Sequence, residues 1–424
     1  MYASIAQSMI IRSRHYVCVA LCCMLGFAET ASAQQYATMP PKLTGGVVKS
    51  TGRKAKSALN DAANFQANKQ AINQYFGQYV FPGMTNYTPT SLGLLAKKRE
   101  SLLRAIRGAK VPAAQKQLVE LSRQAMQSFS RGNYHPAVRY NAVLVLGALD
   151  EKLATDSAPP VPLAAATTAM IELLENDSFK DIKVPTSVKL GALVGLERHA
   201  LCGVAQEQGD KITQLALKIM AQEEPPADVT TDVHHWMKCQ AARLLTQQHA
   251  KKATPELNIA LTKMINDMNL SIEDRCCVAD LLFRVNYEGA EGIDGGATVM
   301  ALGNLAKQVI SDEANLADEY EEARMSRRRS RVQPTYQRSR LASRLRSIGR
   351  GGTSLKKALP EEGQTQINNL LAPIAPVMNI AADKNNVDLN VTEAVKNLKA
   401  EIHAVVDSWG KAGEGEDAAE EDFS

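Results

Sequence analysis

A basic residue, a small residue three positions on and a leucine seven positions on recur four times between residues 135 and 286 of this 424-residue chain. The stretches are HPAVRYNAVLVLGAL (135–149), TSVKLGALVGLERHA (186–200), HHWMKCQAARLLTQQ (234–248) and IEDRCCVADLLFRVN (272–286). Aligned on Arg139, Lys189, Lys238 and Arg275, they place Ala142, Ala192, Ala241 and Val278 at the small position. Leu146, Leu196, Leu245 and Leu282 follow four residues later. Val143, Leu193, Ala242 and Ala279 widen the same stripe, so each stretch presents one apolar helix face. An amphipathic stretch precedes each, at 113–129, 162–176, 210–222 and 254–268. Turn or capping residues divide each pair: Gly132-Asn133, Pro185, the run 225–228, and Ser271 with Asp274. A lone helical hairpin cannot bury its apolar face, whereas stacked hairpins can. The expected fold is therefore all-α, an α-solenoid of stacked hairpins. Aromatic residues at only 5% agree, because helix-on-helix packing draws on Ala, Leu and Val instead.

The segment PAVRYNAVLVL (136–146) carries Pro-x-Val-Arg-x-x-Ala-x-x-x-Leu, and TSVKLGALVGL (186–196) nearly repeats it. This pattern resembles the start of the second helix in the HEAT-repeat family, over roughly residues 94–286. Met237 and Asp274 replace the Val in the later copies. Six residues before the basic position, where that family often has an acid, only Asp232 fits; Asn133, Lys183 and Asn269 do not. The spacings of 50, 49 and 37 residues also stray from the family's usual repeat of about 40 to 47. The resemblance implies a HEAT-like array whose second helices line a concave binding surface. It implies no particular reaction.

The N-terminus reads as an export signal. Arg12 and Arg14 precede the apolar run 16–28, and Ala31-Ser32-Ala33 offers cleavage after Ala33. Thirteen apolar residues fall short of the roughly 20 that span a bilayer. Initiation at Met9 would give a more ordinary n-region. The expectation is a periplasmic or extracellular protein, with an uncleaved N-terminal anchor, hence a membrane-tethered structural protein, as the alternative. Removal of residues 1–33 leaves Cys202, Cys239, Cys276 and Cys277, scattered as core residues are rather than spaced as a disulfide framework.

The flanks divide by composition. Residues 34–61 read as a flexible arm with five basic residues before Asp61, and 62–112 as a helical cap holding many of the aromatics. The repeats take 113–323. Residues 324–352 carry ten Arg and no acid, directly after an acidic run at 312–322. A block of like charge repels itself, so 324–358 is expected to be disordered unless something anionic orders it. The candidate contacts are Arg327, Arg328, Arg329, Arg331, Arg338, Arg340, Arg344 and Arg346, whose guanidinium forks suit phosphate, sulfate or carboxylate. Two readings stand side by side: an external anion, or pairing within the chain against 312–322 or the acidic tail. Helices are expected over 359–409, on the shared face of Val391, Val395, Leu398, Ile402, Val405 and Trp409, and the tail occupies 410–424.

Catalytic motifs are not found. The glycine clusters at 288–296 and 349–357 lack the order of a phosphate-binding loop, and there is neither a nucleophile elbow nor HExxH. His235 and Cys239 share a helix face at a metal-ligand spacing, with His199, Cys202 or His249 to complete a set, while His199, His234 and His235 are the candidates for a groove enzyme. Lys238 intervenes, and Cys239 suits the core. The expected function is a non-catalytic, exported scaffold without cofactor, holding a protein partner, with anionic lipid or polysaccharide as a second contact through the Arg block. An enzyme or metal-handling array of the HEAT kind is the alternative. Nucleic acid is disfavoured, since only Tyr336 stands near the arginines to stack on bases.

Overall fold

Each of the eight amphipathic stretches is a helix, and the described residues are mostly helical with almost no strand. The computed structural model describes residues 35–326, 335–383 and 385–413. The chain divides into two compact units that interleave in sequence: Met1–Val145 with Asp177–Val188 and Pro225–His234, and the remainder.

In the first unit, α1 (Gly45–Asn60) and α2 (Ala62–Tyr75) form a tight pair. Asp61 between them caps α2, accepting from the Ala63 amide at 2.9 Å. Small residues on α1 let the helices close: Ala55 and Ala58 are buried, and a Cβ on Gly52 would lie 2.8 Å from the Tyr75 ring. The expected flexible arm is thus corrected, since most of 34–61 is helix; its basic residues occupy the solvent side and leave the small-residue face free to pack. The residues before α1 are also held. Ala37 N donates to Asn133 O at 2.7 Å, and Met39 N to Thr85 Oγ1 at 2.8 Å. A π-helical turn at Phe76–Val80 follows, then α3 (Phe81–Met84), α4 (Pro89–Gly93) and α5 (Leu95–Arg107), with Phe65, Phe76 and Phe81 in the core. The first hairpin is α6 (Pro112–Arg131) and α7 (Pro136–Leu146).

Two small ribbons explain the long spacing that follows Arg139. Strands β1 (Asp150–Lys152) and β2 (Val161–Pro162) pair before α8 (Ala164–Glu175), and β3 (Ser178–Phe179) pairs with β4 (Ile182–Lys183) after it. The β3–β4 turn places Lys180 at φ +46° and Asp181 at φ +67°. Such a turn normally announces itself by Asn-Gly, so Lys-Asp gives no signal in the sequence. Asp181→Gly is expected to raise stability by about 1 kcal/mol by relieving a left-handed residue, seen as a higher Tm; an unchanged or lower Tm would contradict it.

The remaining helices among the described residues are α9 (Thr186–Cys202), α10 (Gln206–Ala221), α11 (Thr231–Gln248), α12 (Pro255–Asn266), α13 (Ile272–Leu282), α14 (Gly295–Ser326), α15 (Arg338–Leu355), α16 (Glu361–Leu371), α17 (Ile374–Ala382) and α18 (Asp388–Gly413), all in the second unit except the starts of α9 and α11, up to Val188 and His234. The first helices of successive hairpins touch in order: α8 meets α10, α10 meets α12, and α12 meets α14. On the other side α13 meets α15. All twelve residues of the aligned apolar stripes are buried, from Ala142 to Leu282. Backbones come into contact where Gly147 faces Gly195, since a Cβ on the former would stand 2.4 Å from the latter's Cα. At the end of the chain α18 packs on α14, with Val391, Val395, Leu398 and Ile402 buried. Val406 rather than Val405 takes the next turn, and Gly303 makes room for the Trp409 ring.

Candidate interaction site: where the basic residues go

The basic residue that marks each copy is turned into the structure. Arg139 is 3% exposed; its Nε donates to Ser130 O near the end of α6 at 2.9 Å, and Nη1 donates to Lys183 O at 2.6 Å. Both acceptors are neutral, and burial lowers its pKa to about 10. Arg275 repeats the arrangement three hairpins later: Nε donates to Ile265 O near the end of α12 at 2.6 Å, and Nη1 to Gln308 Oε1. Lys238, also buried, donates to Asp267 Oδ2 at 3.2 Å. Lys189 is half-buried. Arg139 and Arg275 therefore satisfy carbonyls that a helix end leaves without intrahelical donors, and each reaches a later segment as well. Their role is architectural.

The arginines singled out as anion contacts divide in two. Arg327, Arg328, Arg329 and Arg331 lie outside the described residues, as does the cleavage position Ala33. Arg338, Arg340, Arg344 and Arg346 are all on α15. Arg338 Nε meets Asp388 Oδ1 at 2.5 Å. Arg340 Nε and Nη2 fork onto Glu313 at 2.8 and 3.1 Å. Arg344 Nη1 bridges Asp312 at 2.5 Å and Glu313 at 2.8 Å, while Nη2 meets Glu273. The Tyr336 hydroxyl donates to Glu313 Oε2 at 2.5 Å, and burial with that carboxylate raises its pKa well above the usual phenol range. Arg346 is exposed.

Three of these four side chains are thus committed to carboxylates of the chain itself. The expected disorder of 324–358 is corrected for its described part, because α14 runs to Ser326 and α15 covers 338–355. The reason is charge. Glu313 is fully buried with two guanidiniums and a phenol around it, so the α14 carboxylates supply the anion that the arginine block needs in order to become a helix. Spacing shows the i, i+4 pair Arg340 and Arg344 in the sequence, but not that Glu313 lies opposite both.

The histidines and cysteines do not converge. Among the described residues no group of three or more His, Cys, Asp or Glu is placed to hold a metal ion. Cys239 contacts Asp274, and burial pushes its thiol above the ordinary range. Cys277 accepts from Arg243 Nη2 at 3.1 Å, His249 contacts Thr213 Oγ1 at 3.1 Å, and the four described cysteines are free thiols. No helix among the described residues is long and apolar enough to cross a membrane.

His199 is fully buried, with Nδ1 2.8 Å from Thr167 Oγ1. Burial, with Arg198 beside it, lowers its pKa to about 3 from 6.5. Between those values the unfolded chain binds a proton that the folded chain refuses, so stability falls as the pH drops below 6.5. The expected loss from pH 7 to pH 5 is about 2 kcal/mol, and His199→Gln should flatten that part of a urea-midpoint profile. An unaltered slope in the variant would assign the loss to other groups.

No protein-family model matches the chain, and no curated protein or solved structure is similar to it.

Proposed function

We propose that this chain is an exported, non-catalytic scaffold of stacked helical hairpins, HEAT-like in its packing, that holds a protein partner along its repeats. The observation that carries this reading is the succession of first helices, α8 on α10, α10 on α12 and α12 on α14. A hairpin that buries its apolar stripe only against its neighbours extends in one direction, and it offers surface rather than an enclosed cavity. The buried basic residues support it, because each ties a hairpin to a following segment within its unit.

Exposed apolar side chains along the repeats are the places to look for the partner: Leu201, Ile259 and Phe283 are 50%, 60% and 46% exposed. A photo-reactive phenylalanine analogue at each position, irradiated in the producing cells, tests the proposal. Adducts of one defined mass at one or more of the three positions support a scaffold. Absence of any macromolecular adduct at all three, with the chain folded and exported, refutes it.

A further inference from the structure

Charge is partitioned sharply along this chain. Residues 35–145 contain sixteen Lys or Arg and three Asp or Glu, although the whole chain is only +4. Of those three acids, Glu120 is clamped by Arg123 through two hydrogen bonds of 2.8 and 2.5 Å, and Asp61 caps α2. Eleven of the sixteen basic residues are exposed. This is the reverse of the arginines on α15, four of which, Arg338, Arg340, Arg344 and Arg350, are paired with carboxylates of the chain.

The exposed charges form faces. Lys49, Arg53 and Lys56 stand four and three apart on α1; Arg104 and Arg107 stand three apart on α5, with Lys110 three beyond. The two helix ends are joined, since the amides of Lys110 and Val111 both donate to Leu59 O, at 2.8 and 3.1 Å. The C-terminal end of α1, with Lys56 one turn back, therefore lies next to the chain leaving α5 at Lys110. Stability of the fold does not account for them. Cations at a helix C-terminus are favourable, which covers Arg104 and Arg107, but α1 has no cation in its last turn, and Lys42 stands just before its positive end, where the dipole disfavours it. So much uncompensated like charge opposes the folded state unless an anion lies against it.

We infer that the outward face of α1 and α5 docks on an anionic lipid surface. Eight of the eleven exposed residues are Lys, a hydrated point charge that suits a diffuse field of headgroups rather than forked recognition of one group. Neither helix has an aromatic residue on which a base could stack. Just before α5 the aliphatic side chain of Leu94 is also 43% exposed. A bilayer interface accommodates such side chains, and a hydrated polysaccharide does not.

The test is cosedimentation of the full chain with vesicles of phosphatidylcholine containing 30% phosphatidylglycerol, and of pure phosphatidylcholine, at low and high salt. Binding is expected only to the anionic vesicles and should fall steeply with salt. The triple variant Lys49→Glu, Arg53→Glu, Lys56→Glu should bind about a hundredfold more weakly, whereas Arg346→Glu should bind as the parent does. Circular dichroism checks folding, and the Gln triple replaces the Glu triple if the latter unfolds; a smaller loss in the same direction is then expected. Equal binding to neutral vesicles would overturn the inference. So would retention by the folded triple variant, or binding to a soluble acidic polysaccharide or DNA without binding to the vesicles.

Discussion

Replacing Glu313 by alanine lowers the stability of the C-terminal helices by about 3 kcal/mol, a large share of what a domain has. The carboxylate has no exposed surface, and it accepts from Tyr336, Arg340 and Arg344 together. Truncation leaves a phenol and two guanidiniums without their shared acceptor, and the desolvation cost of those groups is no longer offset. The loss stays below the upper end of the range for two reasons. Arg344 keeps Asp312 and Glu273, and Arg340 retains some access to water. Glu313→Gln keeps an acceptor and should lose roughly half as much. Asp388→Ala removes a part-exposed pair with Arg338 and should cost under about 1 kcal/mol. Urea unfolding followed by circular dichroism ranks the three. Equal midpoints for Glu313→Ala and the parent would mean that the cluster does not hold α14 to α15.

The same cluster marks the limit of what the sequence reveals. Periodicity is local, so the apolar stripes of the hairpins are legible, and every residue aligned at the small and leucine positions is buried. Pairing of charges is not local. Glu313 and Arg344 are 31 residues apart, and the sequence allows either that partnership or an external anion for the arginine block. Geometry pairs four of the block's described arginines, Arg338, Arg340, Arg344 and Arg350, with carboxylates of the chain itself. The β3–β4 turn was hidden for another reason, because Lys180 adopts a left-handed conformation that Lys does not signal, and no Gly stands at either position. Helix α1 was hidden by its composition: Gly, Ser and Lys suggest a loop, but small residues at Gly52, Ala55 and Ala58 are what a close helix contact needs.

Leu196→Asp is the other substitution with a large expected effect. Leu196 is fully buried on α9, next in sequence to the point where Gly195 touches Gly147 and Met170. An ionised carboxylate there has no partner, and the cost of burying it adds to the lost apolar contact, about 5 kcal/mol in all. In a fold where each hairpin's stripe is covered by its neighbours, that cost does not stay on one helix. Loosening α9 uncovers α8, and α8 packs on α10.

Native-state hydrogen exchange on the parent and on Leu196→Asp measures this directly. Protection is expected to fall together over α8, α9 and α10, and less toward α12, while α18 is affected least. Loss of protection confined to Thr186–Cys202, with α8 and α10 exchanging as in the parent, would contradict stacked and mutually supporting hairpins.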